Sequence, residues 1–158
     1  MNSYRKGIHI ILITGIFIFI SCEKKVDKDE LAINTLMEDV KQEFAPDKRV
    51  ALFNIEYVRK GNETILKGES NLPEAVASFK QKLAEEEIKY VDSIQLLPLS
   101  NLNGFIQGLI TISVANLRGK PAHSSELVTQ ATLGTPVKIF KEEDDWYLIQ
   151  TPDKYLSW

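Results

Sequence analysis

Cysteine is almost missing from this chain of 158 residues: Cys22 is the only one, and histidine is nearly as scarce, with His9 and His123. A single cysteine forms no internal disulfide. Neither histidine has a second His or a Cys near it in sequence, so no metal-ligand set is in view and no cofactor is expected. A basic excess is lacking too, with 19 Lys and Arg against 22 Asp and Glu and a formal charge of −3. A mildly acidic chain without a basic stripe offers nucleic acid no electrostatic footprint. Disorder is excluded on the same grounds, since 44% hydrophobic and 26% charged residues are ordinary for a folded protein.

Gly7 to Ile20 is a long apolar run, preceded by Arg5 and Lys6 and followed by Ser21-Cys22 and then Glu23, Lys24 and Lys25. It is short for a permanent membrane span but suits a signal-peptide core. Phe19-Ile20-Ser21-Cys22 resembles a lipobox, with a small residue just before the cysteine. Residues 1–21 are therefore read as a lipoprotein signal peptide and Cys22 as the lipidated residue and mature N-terminus. A diacylglycerol plus an amide-linked chain holds a protein on a bilayer far more firmly than one acyl chain. The expected location is the cell envelope, on the periplasmic face of a Gram-negative-type membrane, with inner and outer membrane left open. Residues 22–30 are a charged tether.

From Leu31 the apolar period is helical: Ile33, Leu36, Met37, Val40 and Phe44 share a face, and Pro46 ends the run. Arg49 to Arg59 reads as a strand, Lys60-Gly61-Asn62 as a turn, and Thr64 to Gly68 as the returning strand. Asn71 is placed to cap a second helix, with Pro73 in its first turn and Glu74 three residues on. Its stripe is Leu72, Val76, Phe79 and Leu83. Tyr90 to Leu97 is the next strand, ending at Pro98. The order helix, hairpin, helix, strand over 31–100 makes a small α+β module, and in element order it resembles the bacterial BON-type module.

Ser100 to Gly108, with two Asn, two Gly and a Gln, reads as a boundary. Beyond it come short strands and turns: Leu109 to Val114, then Val137 to Phe140, a charged tip at 141–145, Trp146 to Thr151, and Tyr155 to Trp158. Four such strands without a helix suggest a small barrel over 109–158. In Trp146-Tyr147-Leu148-Ile149 both faces are apolar, where a half-buried strand would alternate. One face is therefore expected to pack on another module.

Here the residues carry a resemblance. Asn116-Leu117-Arg118, Pro121, Leu133-Gly134-Thr135-Pro136-Val137, Trp146-Tyr147 and Tyr155-Leu156-Ser157-Trp158 resemble a bacterial SH3-like domain. The runs 113–118, 126–130 and 150–153 are similar to the SH3-like domain that precedes the catalytic domain in NlpC-type cell-wall cysteine peptidases, as in Bacteroidetes-like lipoproteins. As a family, those relatives cleave between γ-D-glutamate and a diamino acid in peptidoglycan peptides. Two residues depart from the pattern. Ser157 stands where the family usually has Gly, and Lys154 where a turn Gly is common. The barrel is also expected to be left incomplete at its C-terminus, with its closing strand short and partner backbone groups unpaired.

The peptidase chemistry needs a cysteine, a histidine base and an orienting group. Cys22 is the anchor and His9 lies in the leader, so no triad can be assembled and no catalytic residue is assigned. His123 reads as a loop histidine. Trp146 and Tyr155 are the candidate ligand contacts, since aromatic faces suit amphipathic ligands, with core or rim packing as their other use. Arg118 has a fork that fits a carboxylate, and a hydrogen bond to a neighbouring loop fits it equally well. Three functions stand: a non-catalytic envelope lipoprotein that binds peptidoglycan peptides or docks a peptidase domain, an N-terminal fragment of an NlpC-type endopeptidase, and an envelope protein-interaction module.

Overall fold

The computed structural model describes residues 28–61 and 63–158. The leader, Cys22, most of the tether and the turn residue Asn62 lie outside them.

Helix α1 spans Lys28–Phe44, with acidic Asp29 and Glu30 in its first turn and Lys41 in its last, each sign matched to the helix dipole. Strands β1 (Phe53–Lys60) and β2 (Glu63–Ser70) form an antiparallel hairpin. Helix α2 (Pro73–Glu85) then carries the chain over to β3 (Val91–Leu96), which lies parallel to β2. A parallel neighbour needs such a crossover, which is why a helix separates these strands. Both helices bury their apolar stripes: Ile33 and Val40 from α1 and Val76, Phe79 and Leu83 from α2 are at most 2% exposed, with Leu66 of β2. Phe53 meets Phe79 edge-on at 6.0 Å between ring centroids.

Asn71 is not the helix cap that its position suggests. Its Oδ1 accepts the Leu52 N–H at 2.8 Å and its own N–H donates to the Leu52 carbonyl at 3.1 Å. Pairing with the chain that enters β1 uses up the side chain. The helix starts instead behind Leu72, with no side-chain cap and Pro73 at its head, where a missing N–H costs nothing.

The second half holds β4 (Gln107–Leu109), β5 (Val114–Arg118), β6 (Leu127–Thr132), β7 (Pro136–Glu143), β8 (Trp146–Gln150) and β9 (Leu156–Ser157). They form a four-stranded sheet in the order β4-β7-β8-β9 and a two-stranded β5-β6 ribbon. The strand expected over 109–114 is two strands with a corner between them. At that corner Ile110 donates to Thr135 and accepts from Gly134, and Leu133 donates to Ser113. Those bonds tie the corner to the β6–β7 turn, and Ile112 points outward, 57% exposed. Barrel pairing also begins at Gln107, inside the stretch that reads as a boundary.

The expected gap beside the last strand is not there. Trp158 and Arg118 exchange both backbone hydrogen bonds, at 2.7 and 2.8 Å, which joins the end of β9 to β5. Leu117, Ala131, Val137 and Ile149 fill the interior.

A third apolar cluster sits where the halves meet: Leu97, Phe140 and Leu148, with Leu52, Leu99, Leu156 and Trp158 around them. A bulge in β7 makes it. Ile139 faces Ile149 and Lys141 faces Leu148, so Phe140 is the extra residue, and its ring is 1% exposed in this cluster. Its carbonyl accepts the Leu99 N–H at 2.8 Å. Leu148 and Ile149, adjacent in β8, thus bury opposite faces, one in this interface and one in the barrel.

Candidate functional site

The turn at Asp144, whose φ of 50° lets the hairpin reverse, sets Trp146 and Tyr147 at the start of β8. Beside them the barrel surface opens into a groove of about 340 Å³, bordered by Leu109, Ile110, Asn116, Trp146, Tyr147 and Trp158. Depressions of about 440 and 610 Å³ elsewhere on the surface are bordered by no aromatic ring. The groove therefore offers what they do not, flat rings for an amphipathic ligand.

Trp146 is half-buried and His123, from the β5–β6 loop, packs on it with ring centroids 5.0 Å apart and planes tilted by 59°. Tyr147 is 45% exposed and donates its hydroxyl to Glu142 at 2.9 Å. That carboxylate holds the Tyr147 phenol above its usual titration range. Asp145 also borders the groove. On the β5–β6 ribbon Gln130 donates to the side-chain carbonyl of Asn116 at 2.8 Å, which holds the amide at the groove's edge.

The three sequence candidates do not converge. Trp146 borders the groove. Arg118 donates from Nη1 to the Ser125 carbonyl at 3.0 Å, so its fork braces the β5–β6 loop that carries His123. Tyr155 lies under Arg49 of the other module, whose guanidinium carbon is 5.9 Å from the ring centroid. Cys22 lies outside the described residues. Tyr147, Trp158 and the His123 contact were missed by sequence reasoning. The Trp-Tyr pair opening β8 was a usable signal for Tyr147, whereas His123 is 23 residues from Trp146 and carried none. Among the described residues no cluster of His, Cys, Asp or Glu could hold a metal ion.

A search of the curated proteins finds no match to this chain. Residues 113–158, which hold β5 to β9 and with them Trp146, Tyr147 and Trp158, match the family model of the bacterial SH3 domain.

Proposed function

We propose that this chain is a non-catalytic lipoprotein of the cell envelope, anchored to a membrane through Cys22, whose SH3 domain binds peptidoglycan peptides in the groove beside Trp146. The observation that carries the reading is the aromatic groove with its acidic rim. Trp146 and Tyr147 supply apolar faces, and Asp145 supplies negative charge beside them. A peptide bearing the free ammonium of a diamino acid suits that pairing, because an ammonium is attracted both to a carboxylate and to an indole face. Titration with purified muropeptides tests it: saturable binding is expected in the wild type and at least about tenfold weaker binding in Trp146→Ala. Binding unchanged by that substitution defeats the groove. The anchor is tested separately, by fatty-acid labelling that marks the wild type and spares Cys22→Ser.

Docking of a peptidase domain is the second reading, favoured by Phe105, Leu109 and Leu133, which are 76%, 60% and 65% exposed. Large apolar side chains left in water mark interaction surfaces. An NlpC-type domain added in trans is then expected to bind, and Leu133→Asp, outside the groove, to weaken that binding while leaving muropeptide affinity in place.

A further inference from the structure

The outer edge of β6 has no strand beside it among the described residues. The Leu133 N–H donates to the Ser113 carbonyl at 3.2 Å, and the register runs on with Ala131 opposite Ala115 and Thr129 opposite Leu117. In an antiparallel ladder the residues between such pairs turn their N–H and C=O the other way. Gln130 therefore aims both backbone groups away from β5, and no backbone hydrogen bond reaches either of them among the described residues. Thr132 has its N–H on the same edge, while its carbonyl accepts from Thr135.

The other edge strands are guarded. Strand β1 carries Glu56, Arg59 and Lys60, and β4 is three residues long. In β3 the Asp92 carboxylate takes the Ile94 N–H at 3.1 Å. Charge, shortness and blocked donors keep an edge from pairing with another chain. Strand β9 is joined to β5 through Trp158. None of the six residues of β6 is charged, and the uncharged stretch continues to Val137. Its one irregularity, the register shift at Leu117/Arg118, leaves Thr129 to Thr132 in regular pairing.

The apolar side chains along this edge are symmetric about Gln130. Leu127 and Leu133 lie three residues to either side of it and are 47% and 65% exposed. When a strand pairs antiparallel with its own copy about a two-fold axis, position i meets position j and j meets i. With the axis at Gln130, the two Gln130 backbones exchange both hydrogen bonds. Leu127 then comes beside the partner's Leu133, and Leu133 beside the partner's Leu127. No like charges meet, because the strand has none. A second copy brings the matching leucine spacing with it, which a foreign strand does not.

We infer that β6 is the site at which two copies of this chain pair, edge to edge and antiparallel, so that their ribbons join in one four-stranded sheet. The contact is small beside the roughly 800 Å² per partner of a standard interface, so the dimer forms and dissociates readily. The inference rests on neither the groove's ligand nor the anchor. Leu133 also serves the docking of a peptidase domain, so the test changes Leu127 instead.

Sedimentation equilibrium of the full-length protein in density-matched mild detergent is expected to show a monomer–dimer equilibrium. Leu127→Asp is expected to weaken it at least about tenfold. The register is read by cysteine pairing, with Cys22→Ser removing the native thiol. Opposed residues of a hydrogen-bonded antiparallel pair have Cα atoms about 5.5 Å apart, within reach of a disulfide. Gln130→Cys in that background is expected to form a covalent dimer under mild oxidation. Glu74→Cys, exposed at the start of α2, is expected to stay single. A wild type that remains monomeric up to about 0.1 mM overturns the proposal. So does a dimer that Leu127→Asp leaves intact, a Gln130→Cys chain that stays single, or equal cross-linking of the two cysteine variants.

Discussion

His123 packs its imidazole against the indole of Trp146, 5.0 Å between centroids, and so fixes a half-buried ring at the edge of the groove. Trp146 is thus a surface-facing ring held from one side, unlike Phe140, which is 1% exposed in the inter-module cluster. Phe140→Ala is expected to cost about 3–5 kcal/mol, a large part of the stability of a small protein. Trp146→Ala keeps part of its surroundings wet already, and about 1–2 kcal/mol is expected. Urea unfolding of the two variants checks the order, and a larger loss in Trp146→Ala places that ring in the core.

Gly68 is needed for a backbone reason. It sits in β2 at φ 128°, and a Cβ there would lie 2.1 Å from the Asn54 carbonyl oxygen of β1. Gly68→Ala must either push the hairpin apart or adopt a strained backbone, for an expected loss of about 3 kcal/mol. A urea midpoint within error of the wild type contradicts this.

Lys154 runs the other way. It occupies the left-handed region at φ 74° while its carbonyl accepts from Gln150. A side chain in that region costs roughly 1 kcal/mol more than glycine, so Lys154→Gly is expected to stabilise the protein by up to about 1 kcal/mol. Thermal unfolding gives the sign directly, and a lower midpoint refutes it.

Lys141 and Glu69 join the modules across 72 residues of sequence. Their side chains are 15% and 26% exposed, between the surface pairs that contribute little and the buried pairs whose breaking is severe. A double-mutant cycle with Lys141→Met and Glu69→Gln is expected to give a coupling of about 1 kcal/mol. A coupling of zero removes the pair from the forces that hold the modules together.

Asp47 accepts from the Arg49 side chain at 2.7 to 3.2 Å and from its backbone N–H at 2.9 Å. Those bonds stabilise the carboxylate and lower its titration from 3.8 to about 2. A depressed folded value favours the native state above the unfolded value, and that contribution disappears as pH falls from 3.8 through 2. Carbon-detected NMR titration should place the Asp47 midpoint near 2 in the wild type and move it upward in Arg49→Gln. An unmoved midpoint removes Arg49 as the cause.

Much of the architecture was written in local pattern. The helical period of Ile33, Val40, Val76, Phe79 and Leu83 specified both helices, because each such stripe has to be covered by something apolar. The doubly apolar run of β8 announced burial on two sides, and Leu148 and Ile149 supply it. The turn residue Lys154 and the small residue Ser157 could be picked out as departures from a family pattern before any contact was known.

What the sequence could not determine is who meets whom across long separations. Asn71 was lost to Leu52, 19 residues away, because a sheet-entry partner satisfied its amide better than a helix end could. The bulges at Leu117/Arg118 and Ile139/Lys141 shift register within their strands. A one-residue shift exchanges the faces of a strand, so no alternation rule foretold that Phe140 would face the other module. The groove beside Trp146 and Tyr147 and the packing of His123 both depend on that register. Local propensity acts between near neighbours, whereas these sites are made by pairing and packing of residues that only the folded chain brings together.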